Sequence, residues 1–379
     1  MRILLIGEYS RLHNSLKEGL ITLGHDVVIV GNGDGFKNYP VDIKIDHSFH
    51  PKLLKKFKVA FYKLTSINLG HWEIYFKAVL ISKKLKGFDV VQLINESPLK
   101  IAPKLEIKFL KHILKHNKKL FLLSCGIDYQ CVKYMLEGPL EYNLMSPYKN
   151  DNSLAKQYQF QLQYLNHEYK ALHDFLYEKC HGVIATDMDY HLPLIGNKSY
   201  LGLIPNPINT DTIAYIPLNK TNKIKIFHGI NKDMSFKKGN TYFSEALEQI
   251  KLKYDDKVEI ITTYSLPYKD YIKFYNDCDV LLDQVYSYDQ GYNALEAMAK
   301  GKVVFTGGEQ QWLDYYNIEE DTVIINAKPD VDYLVKKISW LIEHPENISI
   351  ISKNARQFIE EHHHYLTCTQ TYLKTWNTN

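Results

Sequence analysis

The segment DQGYNALEAMAKGKVV, residues 289–304, sets a carboxylate, Glu296, one turn into a short helix otherwise built from Leu295, Ala297, Met298 and Ala299. A glutamate in that place is either satisfied inside the core or free to accept two hydroxyl hydrogen bonds, the pair a ribose offers. Gly291 lets the backbone approach a ligand closely, and Tyr292, Asn293 and Ala294 supply the unsatisfied amides of the helix start. Such amides attract anionic oxygen. Upstream, FHGINKDMSFKKG (227–239) groups Gly229 with Lys232, Lys237 and Lys238 before Gly239 opens another helix. Lysine point charges beside a helix start suit a diphosphate, although solvated loop lysines are common. Two earlier loops carry ionisable groups as well: GEYSRLHNS (7–15), with Glu8, Ser10 and Arg11, and SCGIDYQ (124–130), with Asp128.

These loops need strands to carry them. Short apolar runs alternate with helix-period segments along the chain, the pattern of parallel sheets covered by helices on both faces. In the first half the strands read RILLIG (2–7), DVVIVG (26–31), DVVQLIN (89–95), KLFLLSC (119–125) and GVIATD (182–187). Asn14 is expected to cap a helix over 15–23 that stops at Gly24, and residues 153–180 read as one helix. LIPNPINTD (203–211) breaks the pattern, which then restarts with IKIFHG (224–229), VEIITTY (258–264), DVLLDQ (279–284), KVVFTG (302–307) and TVIIN (322–326). Residues 347–376 read as helical. The expected architecture is α/β: two Rossmann-like, doubly wound domains, 1–204 and 205–357, with a C-terminal helix of about 358–379 packing back on the first. Ligands of such sheets bind at the carboxyl ends of the strands, here in the cleft between the domains.

A chain of 379 residues is long enough for two domains, and 45% apolar with 23% charged residues is the balance of a soluble globular protein. No apolar run reaches the ~18–20 residues of a membrane span, and MRILLIG reads as a first strand and not a leader, so a cytoplasmic protein is expected. The five cysteines are scattered without a C-x-x-C pair, which argues against a disulfide framework or a zinc site. Net charge is +3, yet residues 51–120 hold 16 Lys against 4 Asp and Glu. In KLLKKFKVAFYKL (52–64) the lysines interleave with bulky apolar residues. They are either solvated helix faces or a surface for anionic headgroups. Nucleic acid is the weaker alternative, because no recognition helix, zinc finger or aromatic-laced RNA motif accompanies the charge.

Taken together, Gly291 before ALEAMAKGKVVFTGG, IPNPIN at the boundary and a Gly…Lys-Gly after the first strand of the second half resemble the glycosyltransferases of the GT-B fold. In detail the chain resembles retaining family 4, with GHDVVIVG like that family's second strand and ARQFIEEHHH like its closing helix. The resemblance implies that Glu296 holds the nucleotide ribose, that Gly291 to Ala294 meet the diphosphate and that Lys238 contacts the same phosphates. It further implies that Ser10 and Arg11 lie in a loop closing over the donor and Asn206 in the hinge. Three departures stand out. Tyr288 occupies the position of the first glutamate of the E-x7-E motif, with Asp289 adjacent. Ile230 replaces an arginine, leaving Lys232 or Lys237 to substitute. Cys125, Gly126 and Asp128 fill a loop where a histidine is frequent. The implied reaction moves a sugar, with retention, from a nucleoside-diphosphate sugar to a glycan or lipid-linked acceptor, without metal or other cofactor, in polysaccharide or cell-surface glycan assembly. On this reading Asp128 and Glu8 lie near the reacting carbon, and the 51–120 stretch makes the protein peripheral at the inner face of a membrane. A sugar-nucleotide epimerase of the same fold and a catalytically inactive sugar-nucleotide-binding protein are the alternatives.

Overall fold

The computed structural model describes residues 1–218, 223–232 and 235–379. Their strands form two sheets, parallel throughout. The first contains β1 (Arg2–Ile6), β2 (Asp26–Gly31), β3 (Ile43–Lys44), β4 (Val90–Leu93), β5 (Lys119–Ser124), β6 (Gly182–Ala185) and β7 (Tyr200–Leu203), in the order 3-2-1-4-5-6-7. The second contains β8 (Ile224–Ile230), β9 (Val258–Tyr264), β10 (Val280–Leu282), β11 (Val303–Thr306) and β12 (Ile325–Asn326), in the order 12-11-10-8-9. The central strands carry near-continuous apolar runs because helices cover both faces. Ile3 to Ile6 of β1 and Val280 to Leu282 of β10 are all buried. The order in which strands are added reverses between β1 and β4 in the first sheet and between β8 and β10 in the second, the switch points where parallel sheets leave a crevice.

The structure refines several sequence expectations. The short outer strands β3 and β7 join the first sheet, and the run at 322–326 pairs only over Ile325–Asn326. The expected helix over 153–180 is broken: Asn166 turns the chain and its side chain caps a new helix, His167–Lys179, by accepting from the amides of Glu168 and Tyr169. The first helix begins earlier than expected, at Leu12 behind Arg11, and Asn14 lies inside it. Gly24 does stop it, with a φ of 82°. The C-terminal helical stretch divides at His363 and His364 into Glu346–His362 and Tyr365–Thr378. His364 bridges to Ile208 there, and the His363 ring bonds the Asn206 carbonyl at 2.9 Å. The last helix packs against Leu12–Thr22 of the first half, where Trp376 Nε1 donates to Gln92 Oε1 at 3.1 Å. No helix among the described residues is long and apolar enough to cross a membrane.

Candidate functional site

At the switch point of the second sheet, Asp283 follows β10 and is buried. It accepts from Lys238 Nζ at 2.9 Å and from Asn293 Nδ2 at 3.1 Å. Three segments distant in sequence are thereby tied together: the lysine loop, the end of β10 and the start of the helix Tyr292–Ala299. Gly239 permits this closure. It takes a left-handed φ of 69°, and a Cβ there would lie 1.9 Å from Val285 Cγ2. Gly291 precedes the helix as its N-cap residue, leaving the first-turn amides without a side-chain cap. The Asn293 side chain also accepts from Tyr271 Oη at 3.1 Å, and Tyr275 Oη donates to the Asn293 carbonyl at 2.6 Å, which fixes the helix start.

Glu296 projects from this helix into a cleft of about 550 Å³ that both halves build. Tyr292, Asn293, Leu266, Pro267 and Tyr271 line it from the second half, and Ser10, Lys37 and Tyr39 from the first. The volume suits a small-molecule ligand. Hollows of about 450 and 400 Å³ along β9 and beside Glu309 are lined by the second half alone. No group among the described residues hydrogen-bonds the Glu296 carboxylate. Burial raises its pKa, and the positive charges of Lys300, Arg11 and Lys37 oppose that rise. A half-buried carboxylate with open lone pairs beside cations has the capacity to accept hydroxyl hydrogen bonds.

The first half presents a strained turn to the same cleft. Ser10 and Arg11 both adopt left-handed backbone, with φ of 48° and 75°. Asp34 accepts from the Ser10 amide at 3.0 Å and Lys37 Nζ donates to Ser10 Oγ at 2.8 Å, so the loops after β1 and β2 form one wall. Arg11 pairs with Glu18, whose other oxygen accepts from Asn209 Nδ2 at 2.7 Å. Tyr292 crosses between the halves: its hydroxyl donates to the Pro207 carbonyl and lies 2.9 Å from Ser15 Oγ.

The other sequence candidates occupy different surroundings. Gly229 is inside β8, where a Cβ would meet the Tyr271 ring at 2.5 Å. Its neighbour His228 is buried, bonded through Nε2 to Asn240 Oδ1 at 3.1 Å, and burial pushes its pKa down to about 4. Lys232 lies on the outside of its loop over the Tyr264 ring, and Asp233 and Met234 lie outside the described residues. Lys237 is buried, donates to Gln161 Oε1 at 3.1 Å and stacks over Tyr158 and Phe236. Tyr288 accepts from the Glu141 amide at 3.1 Å and packs on the Tyr142 ring. Asp289 accepts from the Met188 amide at 2.7 Å, and burial raises its pKa to about 7. Both therefore clamp the 283–291 loop to the first half. Asp128 caps the helix Tyr129–Glu137 by accepting from Cys131 N at 2.7 Å, and Glu8 accepts from the Asn14 amide at 2.9 Å at the start of Leu12–Thr22. Burial raises each to about 7. The group Asp46, His47 and His50, of metal-ligand type, contributes nothing to the cleft lining.

Asp283, Lys37, Tyr39 and Tyr271 join the site without having been singled out in the sequence. The signal for Lys37 and Tyr39 is present in GNGDGFKNY (31–39), a glycine-rich loop leaving the second strand at its carboxyl end.

Residues 238–374 match a family model described as glycosyl transferase-like, a segment that contains the helix of Glu296. Among curated proteins there is no sequence match. Solved structures align over the full length at low identity. HepE of Anabaena, in complex with UDP and glucose, is 13% identical with a TM-score of 0.59 and all of both chains covered. Sucrose-phosphate synthase of Thermosynechococcus elongatus is 17% identical with a TM-score of 0.58, covering 100% of this chain and 98% of its own. A candidate UDP-N-acetylglucosamine 2-epimerase of Listeria monocytogenes is 10% identical with a TM-score of 0.52, covering 98% and 94%. At these identities the likeness is one of fold.

Proposed function

We propose that this protein, a GT-B chain whose residues 238–374 are glycosyl transferase-like, transfers a sugar from a nucleoside-diphosphate sugar to an acceptor hydroxyl. The observation that carries the reading is the Glu296 carboxylate, without a hydrogen-bond partner among the described residues, in a cleft of about 550 Å³ built by both halves. Glu296 accepts the ribose hydroxyls, while the open amides of the Tyr292–Ala299 helix and Lys238 face the diphosphate. In the reaction the bond from the sugar carbon to the diphosphate oxygen breaks and a bond to the acceptor oxygen forms. The acceptor proton passes to the departing phosphate, which fits retention. Negative charge builds on the leaving group, so fixed cations and amides are the main catalytic device. The bond from Lys238 Nζ to Asp283 at 2.9 Å, which holds the lysine beside the end of β10, supports that role. The acceptor is a glycan or a lipid-linked glycan of polysaccharide or cell-surface assembly, entering from the first half. Closure of the halves excludes water and limits hydrolysis of the donor.

The deciding experiment combines a thermal-shift screen over nucleoside diphosphates with an assay of donor consumption with and without a panel of glycan and lipid-linked acceptors. A bound nucleotide raises stability by mass action. Acceptor-dependent release of nucleoside diphosphate is expected. Conversion of the donor sugar without an acceptor would instead identify an epimerase, and binding without turnover an inactive sugar-nucleotide-binding protein.

A further inference from the structure

The first half carries a helical hairpin, Lys52–Thr65 followed by Leu69–Leu80, between β3 and β4. The helix Lys52–Thr65 buries none of its residues, although it is rich in leucine and phenylalanine. At 100° per residue, positions 53, 54, 57, 60, 61 and 64 fall within an arc of about 120°, one continuous apolar face. That face is turned to solvent: Leu53 is 84% exposed, Leu64 87% and Phe57 56%. In the second helix, Trp72, Phe76 and Leu80 lie at i, i+4 and i+8 and are also exposed, with Leu80 at 82%. A soluble protein rarely leaves two adjoining apolar stripes uncovered unless something meets them.

The charge around the stripes says what meets them. Residues 51–88 contain nine Lys and a single acidic residue, Glu73. Lys77 pairs with Glu73 at 2.8 Å and Lys58 faces His47 at 3.3 Å, so these two are engaged within the fold. Lys52, Lys55, Lys56 and Lys63 are exposed, and no carboxylate pairs with them among the described residues. They lie off the apolar arc, Lys52, Lys56 and Lys63 on one flank and Lys55 on the far side, so the helix offers an apolar face bordered by uncompensated cations. A helix of that design lies in the plane of a bilayer surface, its apolar side among the acyl chains and its lysines at anionic headgroups. We propose that the 52–80 hairpin is the surface by which the protein docks on an anionic lipid bilayer. The inference rests on the hairpin alone and stands apart from the reaction at Glu296.

The test is co-sedimentation of the full chain with phosphatidylcholine vesicles, with and without about one-third phosphatidylglycerol, at low and high salt. The expected result is binding to the anionic vesicles at low salt that weakens at high salt and is weak on phosphatidylcholine alone. Phe57→Glu with Leu64→Glu, and separately Lys55→Glu with Lys56→Glu, should each weaken binding by ~10-fold or more. Because the helix buries nothing, both variants should keep the parent's melting temperature and its affinity for nucleoside diphosphate. Failure of the parent to bind anionic vesicles at low salt overturns the proposal, as does undiminished binding by the Phe57 and Leu64 variant. So does self-association without vesicle binding that the same variant abolishes, which would assign the face to a second copy of the chain.

Discussion

The hydroxyl of Tyr292, the first residue of the helix that carries Glu296, sits 2.9 Å from Ser15 Oγ on the first helix of the other half. The same hydroxyl donates to the Pro207 carbonyl in the connection between the sheets. One partly buried side chain thus sets the height of the Glu296 helix against the first half. Tyr292→Phe removes the hydroxyl while keeping the ring. It leaves a buried carbonyl without its donor, at a cost of about 1–3 kcal/mol. Thermal unfolding of the variant should show a loss of that size, with turnover falling less than in variants of Glu296.

Glu296→Gln keeps the shape of the side chain and halves its capacity to accept hydroxyls. Transfer is expected to fall by ~10-fold or more for this variant and for Glu296→Ala. Because no group among the described residues hydrogen-bonds the carboxylate, neither change should lower the melting temperature without ligand. The nucleotide-induced rise in melting temperature should shrink in both. Full activity in either would falsify the ribose assignment.

Lys238→Ala should also lower transfer by ~10-fold or more, the scale of one lost electrostatic contact. Asp283 keeps its bond from Asn293 in this variant, so the helix start stays in place. Initial-rate kinetics should place the loss chiefly in kcat, since charge on the diphosphate develops during bond cleavage. A loss confined to KM would show that the lysine binds the donor without assisting departure.

His13 is fully buried, its Nδ1 bonded to the Gly7 carbonyl at 2.8 Å, and burial lowers its pKa to about 4. The sign follows from proton counts. In the unfolded chain the ring protonates near 6.5, so between about 6.5 and 4 the unfolded state binds a proton that the fold excludes. Stability from this residue is present above 6.5 and is lost as pH falls, by about 2 kcal/mol at pH 5. His13→Gln removes that term. Denaturation at pH 7 and pH 5 should show the gap between parent and variant narrowing on acidification by about that amount.

Much of the fold was legible because it depends on local chemistry. The buried runs ILLI (3–6) and VLL (280–282) identify central strands of parallel sheets, and the Pro-Asn cluster at 203–211 marks the turn from one sheet to the next. The misreadings have local causes too. A two-residue strand such as β3 carries too few residues for a pattern, and the kink at Asn166 hides inside a continuous helical periodicity. The pair His363 and His364 breaks the last helix through bonds to Asn206 and Ile208, which no helix propensity encodes.

By itself the sequence determined which segments become strands, which loops leave them at the carboxyl end, and that Gly291 and Glu296 stand at the start of a helix behind a lysine loop. Those features follow from side-chain period, glycine placement and capping, all short-range. The tertiary structure alone decided which candidate side chains meet. It turned Glu296 toward Arg11 and Lys37, gave Lys238 a fixed partner in Asp283, and spent Tyr288, Asp289 and Lys237 on contacts between the halves. It also left the apolar face of Lys52–Thr65 uncovered, where the sequence pattern fits a packed helix equally well. The reason is the same in each case: a charge's partners, and the surface an apolar stripe meets, are set by how the two sheets and their helices pack in space.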